Sequence, residues 1–112
     1  MLIKHIFTIM KLSVIERITL MQILPKEASY LTFKILIELK SALSFNEKEF
    51  KEFGMVQKDT QIHWKKSVDK EIPIGEKAMD IIVSALQALD KAGKLTEQSF
   101  SLYERFVKND KT

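Results

Sequence analysis

The 112-residue chain contains no cysteine. That excludes disulfide frameworks, thiolate nucleophiles, thiolate zinc sites and iron–sulfur ligation together. Glycine and proline are nearly as scarce: Gly54, Gly75, Gly93, Pro25 and Pro73 are all there are. Three isolated glycines cannot build a phosphate-binding loop, a dinucleotide fingerprint or a nucleophile elbow. With so few breakers, helices should dominate. A charge of one sign is also missing. Eighteen basic and 15 acidic side chains leave a formal charge of +3, and their scatter gives a weak field compared with the basic stripe of a dedicated nucleic-acid binder. No apolar run approaches the roughly 20 residues that cross a bilayer, so no membrane association is expected.

What remains is ordinary globular material, 46% hydrophobic and 29% charged, of a length that suits one domain over residues 1–112. The opening segment MLIKHIFTIM is apolar, with Lys4 and His5 inside it and no small-residue cleavage site after it, which argues against a signal peptide. It admits two readings. Translation starts at Met10 and residues 1–9 are an extension, or the segment is a short strand or helix docked on the core.

Helix starts are written clearly. Ser13 and Glu16 have the spacing of a capping box. Val14, Ile15, Ile18, Met21 and Leu24 then recur at helical intervals until Pro25 stops them, which predicts a first helix over 14–23. Pro25-Lys26-Glu27 suits the first turn of a second helix. Its stripe of Ala28, Leu31, Ile35, Leu39 and Ala42 is widened by Phe33, Leu36, Ile37 and Leu43, so that it reads as a central, nearly all-round apolar helix. Asn46 and Glu49 cap a short third helix, with Phe45 and Phe50 as a hydrophobic staple and Gly54 as its stop. The period then drops to two. Val56, Ile62 and Trp64 are predicted on one face of a β-hairpin turning at Lys58–Thr60, and Ile72-Pro73-Ile74 as an edge strand or loop. A fourth helix follows Gly75, buries Ala78, Ile81, Ile82, Ala85, Leu86 and Leu89, and ends at Gly93. Thr96 caps a fifth, with Phe100, Tyr103, Phe106 and Val107 on one side, and the tail over 108–112 frays. The fold class is α+β, mainly α: four main helices and one short one, with a small antiparallel β element before the fourth helix.

Chemistry is sparse. Glu16, Glu27 and Glu38 are evenly spaced, but Pro25 separates the first from the others, and nothing places two acids in one dry pocket. His63 falls on a predicted strand with its side chain on the outer face, His5 falls in the opening segment, and neither belongs to a cluster with metal-ligand spacing. No catalytic residue, metal, cofactor or small-molecule substrate is expected, and the chain does not read as an enzyme. The segment Gln61-Ile62-His63-Trp64-Lys65-Lys66 interleaves an aromatic with basic residues, as single-strand binders do. Trp64, Lys65 and Lys66 are therefore the candidate nucleic-acid site. The competing role for Trp64 is to anchor the hairpin on the helices. The third possibility is association through apolar helical surface, with a partner protein or a second copy. A non-enzymatic interaction protein is the favoured reading and nucleic-acid binding the alternative.

The stretches ERITLMQILP, LTFKILIELKSALSFNEKEF, QIHW and GKLTEQSFSLYERF, in that order, resemble a group of small uncharacterised proteins encoded in bacteriophages and prophages. The likeness covers about residues 11–107 and carries no catalytic motif. It implies a bacterial or phage cytoplasmic setting and assigns no site residue.

Overall fold

The computed structural model describes residues 7–108; the rest of the opening segment and the tail over 109–112 lie outside the described residues. Within them the chain runs β1 (Phe7–Leu12), α1 (Val14–Ile23), α2 (Tyr30–Leu43), α3 (Glu47–Phe53), β2 (Val56–Lys58), β3 (Gln61–His63), β4 (Lys70–Gly75), α4 (Glu76–Ala92) and α5 (Glu97–Tyr103), followed by a π-helical segment over Glu104–Lys108. The mainly helical α+β architecture read from the sequence is the observed one.

Two small antiparallel sheets hold the strands. The hairpin β2–β3 pairs Val56 with His63 and Gln57 with Ile62, and Asp59 takes the left-handed backbone (φ 57°) at its turn. That register corrects the predicted face. Residues directly opposite share a side, so Val56 stands with His63 toward solvent, while Ile62 turns inward. The strand around Pro73 does not extend the hairpin either. It pairs with β1, sixty-odd residues earlier in the chain, in the register Thr8 to Ile74, Met10 to Ile72 and Leu12 to Lys70. Phe7–Ile9, the described part of the opening segment read above as an extension or a docked element, form the start of a strand. Pro73 is tolerated because both strands of a two-stranded sheet are edges.

The pleat puts Met10, Leu12, Ile72 and Ile74 against the helices. There they join Leu20, Leu24, Leu36, Leu39, Leu43, Ile82, Leu86, Leu102 and Phe106 in the main core. A second cluster of Val14, Phe53 and Met55, with Ile18, Phe45, Ile62 and Trp64 packed on it, sits under the hairpin.

Two helices differ from their predicted form. α2 begins at Tyr30, five residues after Pro25, because the Ser29 hydroxyl accepts the Thr32 N–H and caps the helix there. It is also not central: only Leu36, Leu39 and Leu43 are buried. In α5 the core face is Ser99, Leu102 and Phe106, and Phe100 points to solvent. Leu102 is the side chain that α5 inserts against α1 and α4, and the wider π-helical turns then carry Phe106 onto the same side. α4 follows the sequence closely, with Ala78, Ile82 and Leu86 buried and Gly93 left-handed at its end.

Candidate interaction surface

Of the three residues picked from the aromatic-basic segment, Trp64 is half-buried and packed on the Val14–Phe53–Met55 cluster. Lys65 and Lys66 are exposed, and both their backbone N–H groups donate to the Phe53 carbonyl, at 2.8 and 3.2 Å. The structure thus ties this segment to the end of α3. The same strand end borders an open depression of about 510 Å³ between α1, β3 and the start of α5, lined by Ile15, Gln22, His63, Trp64 and Gln98 among others. Its walls hold no charged side chain.

The most concentrated polar chemistry lies elsewhere, and sequence reasoning missed it. Arg17 of α1 is completely buried. Its Nη1 donates to Glu49 Oε2 at 2.9 Å and its Nη2 to Glu49 Oε1 at 3.2 Å. Nε donates to the Leu43 carbonyl at 3.0 Å and Nη2 also to the Ser44 carbonyl at 2.6 Å. The guanidinium lies 3.9 Å from the centre of the Phe45 ring. Glu49 additionally accepts the Asn46 N–H at 3.0 Å, closing the α3 capping box, and Lys70 Nζ stands 4.0 Å away. The hydrogen bonds from Arg17 hold the Glu49 carboxyl below its ordinary value, against the opposing effect of burial, with Asn46 and Lys70 helping. The signal was available: position 17 falls between Val14 and Met21 on the apolar side of α1, where an arginine must find partners or not fold inward. Among the described residues no buried side-chain nitrogen or oxygen lacks a partner. Each buried nitrogen and oxygen of the node therefore has at least one partner, and the arrangement reads as a structural tie between α1, α2 and α3.

Among the described residues no three of His, Asp and Glu come together as a metal cage, and no helix is long and apolar enough to cross a membrane.

What the surface does offer is oil on α2. Tyr30 is 76% exposed, Leu31 71%, Ile37 59% and Phe33 39%. With Lys34, Glu38 and Ser41 they make up the side of the helix opposite Leu36, Leu39 and Leu43. Beside this face lies an open cavity of about 360 Å³ between α2, β4 and the start of α4, lined by Phe7, Ile35, Glu38, Leu39, Ala42, Pro73 and Lys77 among others. Phe7 and Ile9 are themselves more than half exposed on the outer side of the sheet, where they oppose Gly75 and Pro73. The sequence read α2's apolar residues as a buried girdle; the fold buries one side and leaves the other bare.

Comparison with protein-family models, with curated proteins and with solved structures finds no match to this chain.

Proposed function

We propose that this chain is a non-enzymatic interaction protein that engages another protein through the outer face of α2, in the bacterial or phage cytoplasmic setting that its resemblance implies. The observation that carries the reading is the exposure of Tyr30, Leu31, Phe33 and Ile37 on a helix whose other side is sealed into the core by Leu36, Leu39 and Leu43. Their exposure cannot be relieved by turning the helix, because rotation would expose the three leucines instead. Contiguous apolar surface on a fixed element is the usual mark of a docking face.

A photo-crosslinking side chain at Ile37 tests this in an extract of the cell that encodes the protein, with the same group at the exposed polar position Gln87 of α4 as control. The expected result is a discrete protein adduct from position 37 alone. Excess unmodified protein should suppress an adduct to a different protein, or itself be captured at twice the chain's mass where the occupant is a second copy; excess Leu31→Asp/Phe33→Asp protein should do neither. Equal labelling from both positions, or competition by the double variant, overturns the reading.

The nucleic-acid alternative draws support from Trp64 and His63 at the rim of the depression and from the exposed Lys65 and Lys66 beside them. Binding to single-stranded DNA or RNA that falls steeply with salt and is lost in Lys65→Gln/Lys66→Gln would favour it, since phosphate contacts release counterions. It is the weaker reading because Trp64 also serves the hairpin's own packing.

A further inference from the structure

Resting on the docking face just described, we infer that its occupant is a second copy of this chain, with the two α2 helices packed antiparallel about a two-fold axis. Three features of α2 lead there. Lys34 and Glu38 are the charged residues of the outer face, both exposed, and neither makes an ion pair among the described residues. Their order along the helix, cation first, is the poorer one for pairing within a helix, so each is available to another molecule. Successive helical residues step by about 100°, which places both on the same flank of the exposed face. When two helices run antiparallel about a two-fold axis, a flank meets the same flank of its mate, so Lys34 comes opposite Glu38 of the second copy, and the pair forms twice.

The placement of the charges agrees. The level midway between Lys34 and Glu38 is residue 36, and α2 runs from Tyr30 to Leu43, so the axis that aligns the charges also overlaps the helices along nearly their whole length. In that register Ile37 lies next to the axis against its own counterpart. Leu31 comes level with the stretch between Glu38 and Ala42 of the second copy, at the mouth of the 360 Å³ cavity that those two residues help to line. Each copy thus presents a protruding leucine and a receiving hollow. The self-complementarity is in both charge and shape, as an isologous contact requires. A parallel arrangement would oppose different flanks and leave all four charges unpaired.

One helix face per copy is small compared with the roughly 800 Å² each partner contributes to a standard interface. The dimer should accordingly dissociate in the range of about 10–100 µM, where few specific side chains carry the binding. Sedimentation equilibrium on the full chain between about 5 and 500 µM reads it directly. Lys34→Glu and Glu38→Lys should each weaken self-association about tenfold or more, since each puts like charges opposite one another twice. An equimolar mixture of the two variants should restore it to within about threefold of the unaltered protein, because one chain then carries two acids and the other two bases. Leu31→Asp, which keeps both charges, should also give a monomer. All the altered side chains are exposed, and thermal unfolding of each variant confirms that its fold is kept. A chain that stays monomeric throughout the range overturns the inference, as do single charge reversals without effect or a mixture that associates no better than its components. The first of these results, found together with a position-37 adduct to a different protein, would sink the self-pairing while leaving the docking face in place.

Discussion

The C-terminal end of α2 and its outer face each invert the usual rule of where residues belong. At its C-terminal end, the carbonyls of Leu43 and Ser44 receive a fully buried arginine whose charge is met by Glu49. Along its outer face, a tyrosine, a leucine, a phenylalanine and an isoleucine stand in water. A cation from α1 lies buried against one end of this 14-residue helix while oil lines its outer face. The difference teaches that residue type alone does not settle burial. Arg17 can be interior because its guanidinium finds a carboxylate, two carbonyls and an aromatic ring, so little desolvation cost is left uncompensated. The outer apolar residues are exterior because a domain this size has already closed its core with other leucines.

The sharpest way to break the comparison is to remove one partner of the buried pair. Glu49→Gln should destabilise the fold by about 3–5 kcal/mol, the usual cost of stranding a buried charge, measured by urea unfolding near neutral pH. Arg17→Met should cost at least as much, because it also releases the Leu43 and Ser44 carbonyls. The double variant Arg17→Met/Glu49→Leu should lose less than the sum of the two single changes. A pH signature accompanies this. Glu49's folded pKa is lowered from 4.5, so in acid the unfolded chain takes up this proton first. The pair's contribution is therefore whole above about pH 4.5 and drains away as pH falls through the lowered folded value. Glu49→Gln should remove that part of the acid sensitivity. Equal acid slopes in variant and parent would show that Arg17 does not hold the carboxyl.

Second in size comes the apolar contrast across α2. Leu36 is completely buried, and Leu36→Ala should cost about 2–5 kcal/mol through lost transfer energy and the cavity left behind. Should the loss fall below 1 kcal/mol, α2 would not be anchored on the side described.

How much of this contrast could be read in advance depends on the range of the interaction. The caps of α1 and α3 were plain in the sequence because Ser13 with Glu16, and Asn46 with Glu49, bond across three residues. The helical positions of Ala78, Ile82 and Leu86 were plain because periodicity is local. Illegible were the facts decided at long range. β1 pairs with β4 across a stretch of chain that includes α1 to α3. Glu49, seen as a cap, is claimed by an arginine 32 residues earlier. The apolar positions of α2 were all visible, but which side the core would take depended on Leu20, Ile72, Ile82 and Leu102 arriving from elsewhere. The turn at Pro25 misled because a permitted helix start lost to Ser29, a better cap slightly downstream. The aromatic-basic segment stood out in composition, yet Trp64 turned out to share its environment with Val14, Phe53 and Met55.

A second ion pair calibrates the first. Arg105 in the π-helical segment holds both carboxylate oxygens of Glu16, at 2.9 and 2.8 Å, and donates to the Lys11 carbonyl at 2.9 Å. It fastens the end of the chain to the start of α1 and to β1. Its arginine side chain is 33% exposed, against complete burial for Arg17. Solvent competes for the outer pair, so Arg105→Gln should cost about 1 kcal/mol, above the median for surface pairs because the guanidinium also holds the Lys11 carbonyl and below the buried node. Raising salt should erase much of that difference while leaving the Arg17–Glu49 effect nearly untouched. If both pairs respond alike to mutation and to salt, burial is not what separates them.

The smallest expected effect is the most telling for the outer face. Ile37→Gln replaces an apolar side chain that is 59% exposed by a polar one of good helix propensity. If the face exists for a partner and not for the fold, urea unfolding at a protein concentration well below that of association should shift by no more than about 0.5 kcal/mol, the usual range for surface changes. Adduct formation and self-association at high concentration should nevertheless fall. A loss of 2 kcal/mol or more in the dilute monomer would instead mean that Ile37 packs within its own chain. The two sides of α2 would then be doing the same work, and the apolar exposure on which the docking face rests would be gone.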